Sequence, residues 1–267
     1  MIDAKNTARN SIILGFVISC VALLVNAIVL SEVGNRLRDT ETAHAALTQS
    51  LNEQTKVKDE GEKKFENYRL FSHLASLLPE NARANMKYDA GSHFHDFVLY
   101  LYAAGNDLPM TEFRRAETEI DLENADAENQ PANSEANENK TAENPENKRK
   151  AEDENFERAL KILENREDES GKTDYKAKHR AITTITDSVT ETDDDDLSDA
   201  RFSRIDTFLN KRYIESYDRK QLKINELSAL RESQSKLVSY SVFGSLALQM
   251  LGLAFIFLKD FIQDKRS

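Results

Sequence analysis

The chain has 267 residues and a formal net charge of −11, from 36 Lys and Arg against 47 Asp and Glu. That balance argues against binding nucleic acid, whose phosphates it would repel, and against lying flat on an anionic lipid surface. Its single cysteine, Cys20, excludes an intrachain disulfide, so any fold has to be held by packing.

The mean hydropathy of −0.62 describes a polar protein, yet residues 11–30 and 238–258 contain no Asp, Glu, Lys or Arg. Each stretch is about twenty residues, enough to cross a hydrocarbon core of roughly 30 Å as a helix. A backbone in lipid must satisfy its own hydrogen bonds, so both are expected to be transmembrane helices. A cleavable signal peptide is the rival reading of the first. Its apolar run exceeds the roughly 7–15 residues of a signal core, and no A-x-A site follows, which favours a retained anchor. The tails 1–10 and 259–267 each carry a small positive excess, from Lys5 and Arg9 and from Lys259, Lys265 and Arg266. That excess favours cytoplasmic tails with residues 31–237 outside.

Beyond the first span a seven-residue register runs through Leu30, Leu37, His44, Leu51, Lys58 and Phe65. Three positions on from each stand Val33, Thr40, Leu47, Gln54, Gly61 and Tyr68. The first half suits a coiled-coil seam, the middle (Gln54, Lys58, Gly61) is poor, and aromatic residues restore it. This predicts a long outgoing helix over 31–78, stopped by Pro79. If continuous, it would reach on the order of 70 Å.

A helical head is expected over 79–122. Within it, "GSHFHDFVLYLYAAGND" reads as a short helix capped at Ser92 and ended by Gly105 and Asn106, and a weaker helix follows Pro109. Residues 123–155 hold almost no apolar side chain beyond alanine, and are expected to be a disordered Asn/Glu/Ala-rich linker. Over 156–200, Phe156, Leu160 and Leu163 mark one helix, Tyr175, His179, Ile182, Ile185 and Val189 another, and an acidic turn follows. A return limb over 201–237 carries Ile205, Leu209, Tyr213, Tyr217, Ile224, Leu227, Leu230 and Leu237 at helical spacing, and leads into the second span. Each limb has one apolar stripe to bury, against the other limb or a second copy of the chain. The fold class is therefore an all-α membrane protein: two transmembrane helices extended into an antiparallel coiled-coil-like hairpin, with a small helical head and a disordered acidic linker.

Three polar motifs invite chemistry. "ESGKT" (Glu169 to Thr173) ends like a phosphate-binding loop, but Arg166 stands where the leading glycine is required, so it reads as a turn. "HFHD" gathers His93, His95 and Asp96, with Asp89 and His73 as further metal-ligand types. On a helix His93 and His95 do not share a face, which favours ordinary histidines. "TDDDDLSD" places Asp193, Asp194, Asp195 and Asp196 ahead of Asp199. Without the glycine and glutamate of a calcium loop, Ser198 or Asp199 is better read as a helix cap, the other acids facing the helix's positive end. No metal ligand, cofactor site or catalytic residue is assigned.

The spans carry the more informative pattern. Gly15, Ser19, Ala22 and Asn26 recur at steps of three and four on the first, and Ser241, Ser245, Gln249 and Gly252 on the second. Run antiparallel, their depths match: Asn26 by Ser241 and Ser245, Ser19 by Gln249, Gly15 by Gly252. Small residues allow close approach, and an amide in lipid seeks a partner. These positions are the expected helix-packing residues.

No nucleophile, base and orienting group share a recognisable spacing, so an enzyme is not expected and no small-molecule substrate is identifiable. The expected function is that of a membrane-anchored structural or assembly protein presenting an acidic helical head to a protein partner, or to a second copy through the long helices. The layout over 11–258 (span, long helix, head, long helix, span) resembles the outward half of a bacterial two-span receptor. That resemblance implies a bacterial inner membrane and, as the alternative, a sensing or adaptor subunit. Such receptors continue into a signalling module, for which 259–267 are too short, so a signal is expected to pass laterally to a partner membrane protein.

Overall fold

The computed structural model describes residues 4–128, 145–165, 172–192 and 195–264. The centre of the expected linker, most of "ESGKT", Asp193, Asp194, the side chain of Asp195 and parts of both tails lie outside the described residues. Six helices account for the described fold: α1 (Ala4–Leu77), α2 (Glu80–Asn106), α3 (Met110–Glu128), α4 (Pro145–Glu164), α5 (Tyr175–Thr190) and α6 (Asp195–Asp264). No strand occurs among the described residues.

Both long helices are unbroken, and the chain divides into two compact units. Met1–Ser50 with Lys220–Ser267 make the first, and Leu51–Arg219 the second.

In the first unit the contacts between the two helices run in opposite order along them. Ser50 accepts from Lys220 over 2.8 Å, His44 and Ser228 lie 3.0 Å apart, and Glu41 pairs with Arg231 over 3.1 Å. Further along the apolar stretches, Ala22 meets Ser245 and Asn26 meets Ser241. Val33, Leu37, His44 and Leu47 of the expected register are half-buried and Thr40 is buried. On α6, Ile224 and Leu227 are half-buried, but Leu230 and Leu237 stay exposed.

The second unit has a conventional core. Phe94, Phe97, Val98, Leu101 and Tyr102 of α2 meet Phe113 of α3, Leu160 and Leu163 of α4, Ile182 and Ile185 of α5, and Ile205 and Leu209 of α6. Phe65 on α1 stacks on Phe202 at 5.3 Å and contacts Phe97 at 4.8 Å. The Tyr102 hydroxyl is not wasted in this apolar setting, because it donates to the Leu163 carbonyl over 3.2 Å.

Three local expectations are corrected here. The helix expected to start at Ser92 begins at Glu80, with Pro79 as its extended N-cap, so Ser92 is interior. That helix does end at Asn106, and its cap is Asp107, in the left-handed conformation (φ 57°), while the Leu108 amide reaches back to Ala103 over 2.9 Å. This is the αL ending that a short polar residue tolerates in place of glycine. Helix α6 begins at Asp195, which places Ser198 and Asp199 inside it rather than at its cap. Finally, helix covers both ends of the stretch expected to be disordered, since 123–128 belong to α3 and 145–155 to α4. The buried Phe156, Ala159, Leu160 and Leu163 anchor α4, and the Ala, Glu, Lys and Arg before them are good helix formers that extend it backwards.

Candidate functional site

The polar residues singled out in the two apolar stretches lie together in the first unit. A Cβ added to Gly15 would stand 2.6 Å from the Gly252 carbonyl oxygen, so only glycine fits at this crossing. Gly252 is reciprocally close to the Gly15 carbonyl and to Ser19. The Ser245 hydroxyl donates to the Ala22 carbonyl over 3.3 Å, and the Ser241 hydroxyl to the Asn26 side-chain oxygen over 3.4 Å. Gln249 differs from the expected pairing with Ser19: its amide turns along its own helix to the Ser245 hydroxyl, 3.5 Å away. Ala22, Ser245 and Gly252 are buried. The residues on the other faces are large, apolar and exposed, with Phe16 at 65%, Leu24 at 63%, Phe243 at 70% and Met250 at 68%. Both helices are long and apolar enough to cross a membrane.

The second unit sorts the histidines. His93 turns to Phe71, with ring centroids 5.1 Å apart, while His95 meets His179 of α5 at 5.1 Å. Two residues on one helix thus face different neighbours, as the helical step requires. Asp96 is held by Lys64 of α1 over 2.7 Å. Burial and the neighbouring His179 push His95 down to about 4, and burial likewise lowers His179. No group of three or more metal-ligand side chains assembles among the described residues. Ser198 donates to the Val189 carbonyl at the end of α5 instead of capping α6.

Sequence reasoning missed a cleft of about 390 Å³ in the second unit, lined by Arg83 and Lys87 of α2 and by hydroxyls of Ser72, Ser76, Thr190 and Thr192. Its residues come from α1, α2, α5 and α6, with Thr192 just past α5, and only the folded chain brings them together. It also missed the His95–His179 contact. The signal available was that His179 falls on the apolar face of α5, four and three residues from Tyr175 and Ile182.

Comparison with protein-family models, with curated proteins and with solved structures returned no match.

Proposed function

We infer that this chain is a membrane-anchored structural or assembly protein. In this reading α1 and α6 cross a bilayer through 11–30 and 238–258 as an antiparallel hairpin. The Gly15, Ser19, Asn26, Ser241, Ser245, Gln249 and Gly252 surfaces pack that hairpin, and the second unit offers an acidic helical surface to a protein partner. The observation that carries it is the inverted arrangement of the first unit. Small and polar side chains lie between the apolar stretches, while phenylalanine, leucine and methionine face outward. In water, so much contiguous exposed apolar surface is unfavourable. In lipid it is at home, and close packing with hydrogen bonds is what remains to associate the helices. Lys5, Arg9, Lys259, Lys265 and Arg266 on the tails favour both termini in the cytoplasm and 31–237 outside.

The test has two arms. Reporter proteins fused to either terminus should be active only in the cytoplasm, with residues 31–237 cut by external protease. Purification in mild detergent should then retain a specific protein partner or a second copy of the chain. Termini on opposite sides would overturn the topology, and a monomer with no specific partner would overturn the assembly role.

A sensing or adaptor role is the second reading. It is favoured by the continuity of α1 and α6, which each pass without interruption from one unit into the other. Here the partner would be another membrane protein, contacted through the spans.

A further inference from the structure

We propose that the His95–His179 contact is an acid-sensitive latch between α2 and α5, closed while both rings are neutral and released when they take up protons. The geometry is that of two like titrating groups pressed together. Their ring centroids lie 5.1 Å apart at the packing of α2 on α5, and Nε2 of His179 is buried with no hydrogen-bond partner. Nε2 of His95 lies 3.5 Å from the Thr183 hydroxyl. A proton on either ring therefore places a charge in a poorly solvated contact, and protons on both add direct repulsion.

The surrounding charges do not cancel this. Asp96, beside His95 on α2, already holds Lys64 of α1. From α3, Glu117 and Asp121 favour the charged rings, but Arg114 opposes them and pairs with Glu117 over 3.3 Å. On α5 itself, Arg180 is paired with Glu123 of α3. Lys178, also on α5, is turned to the Ile162 and Asn165 carbonyls at the end of α4. Released from α2, a charged His179 would find Glu117 and Asp121 on the α3 side.

The sign follows from the direction of the shifts. Both histidines are lowered when folded, so the open form binds more protons and acid favours opening. The effect develops as pH falls from about 6.5, the ordinary histidine value, towards the value of about 4 for His95. At pH 5 the shift of His95 alone should raise the local opening of α5 by roughly thirtyfold.

The experiment is hydrogen exchange with peptide resolution on the full chain in detergent. Protection factors, corrected for the intrinsic rate, are compared at pH 7.5 and pH 5 for 175–190, with 31–50 as internal reference. Protection of 175–190 should fall roughly thirtyfold in acid while the reference holds. In the double variant His95→Gln, His179→Gln the loss should disappear. No loss in the native chain, or an equal loss in the double variant, would overturn the latch. If that variant does not fold, NMR titration of ring-labelled histidines in the native chain decides. Two rings titrating well below 6.5 together with loss of α5 protection support the latch, and two rings titrating near the ordinary value of about 6.5 overturn it.

Discussion

Gln54 on α1 donates its side-chain amide to the carbonyl of Ala104, near the end of α2, over 2.8 Å. It is one of several such contacts in the second unit. Lys178 reaches the carbonyls of Ile162 and Asn165 at the end of α4, and Arg212 reaches Glu164 there over 2.9 Å. Arg201 reaches Ser188 over 2.7 Å and Ser198 reaches Val189 over 2.8 Å at the end of α5. The last carbonyls of a helix have no partner within it, and packed helices cannot leave them to water. Here polar and cationic side chains from neighbouring helices satisfy them, and cations also suit the negative end of the helix dipole. Buried polar residues that look out of place in the sequence are thereby tied to helix ends.

For Gln54 this separates two substitutions. Gln54→Ala removes the donor and leaves a space, and should cost about 1–3 kcal/mol. Gln54→Met keeps most of the volume and also removes Oε1, a buried acceptor with no hydrogen-bond partner, so it should cost less. Thermal unfolding followed by circular dichroism would order the two. Equal losses would mean that the hydrogen bond, not the packing, carries the effect.

Gly61 gives the second expectation. A Cβ there would lie 2.9 Å from the Leu101 methyl Cδ1 and 3.0 Å from Tyr100 Cβ, the second being a position that cannot swing away. Gly61→Ala gains helix propensity of about 1 kcal/mol, which should largely offset the crowding. Gly61→Val adds branching at the same contact and should destabilise by about 1–3 kcal/mol. A valine variant as stable as the native chain would show that α2 gives way easily.

Gly61 and Gln54 also show where the sequence stopped being legible. The seven-residue register on α1 does mark its less exposed stripe, from half-buried Val33 to half-buried Tyr68. Its middle looked poor only because a coiled-coil partner was assumed. In that stretch α1 receives α2, for which glycine allows approach and glutamine supplies a donor. Local periodicity reveals which face is buried, not what covers it. The same limit applies to Ser198. Its side chain is a good helix cap by type, but the nearby end of α5 takes it, and no spacing rule carries that information.

Asp187 supplies a pH dependence of opposite sign to the histidines. It lies in the last turn of α5, near the negative end of the dipole, and partial burial followed by the charge of Glu191 raises its carboxyl above the ordinary value. A folded-state value above the unfolded one means the folded chain holds this proton more tightly. Its favourable contribution is complete below the ordinary value of 3.8 and is lost as pH rises through the raised folded value. At neutral pH only the penalty of the ionised form remains. Asp187→Asn should therefore stabilise by about 0.3–1 kcal/mol at pH 7, and the gain should shrink as pH approaches 4. Urea titrations at the two pH values would measure it. A gain that does not change with pH would point to packing, not charge.

The contact of Ala22 with Ser245 offers the most direct test of how the apolar stretches associate. The Ser245 hydroxyl lies 3.3 Å from the Ala22 carbonyl oxygen, so the two residues meet across the helix pair. In a Cys20→Ser background, the pair Ala22→Cys, Ser245→Cys should oxidise within one chain in membranes. Leu24→Cys with Phe255→Cys should not, because Leu24 is exposed and Phe255 instead lies beside Gly15. Individual interhelical hydrogen bonds in lipid are worth only on the order of 1 kcal/mol, so Ser245→Ala alone should leave the crosslink nearly intact. Gly252→Leu should abolish it. The Gly252 backbone lies against the Gly15 carbonyl and Ser19, which leaves no room for a side chain. A crosslink formed only between separate chains would assign this seam to a homo-oligomer. Efficient crosslinking in the Gly252→Leu variant would show that the close crossing at Gly15 does not hold the helices together.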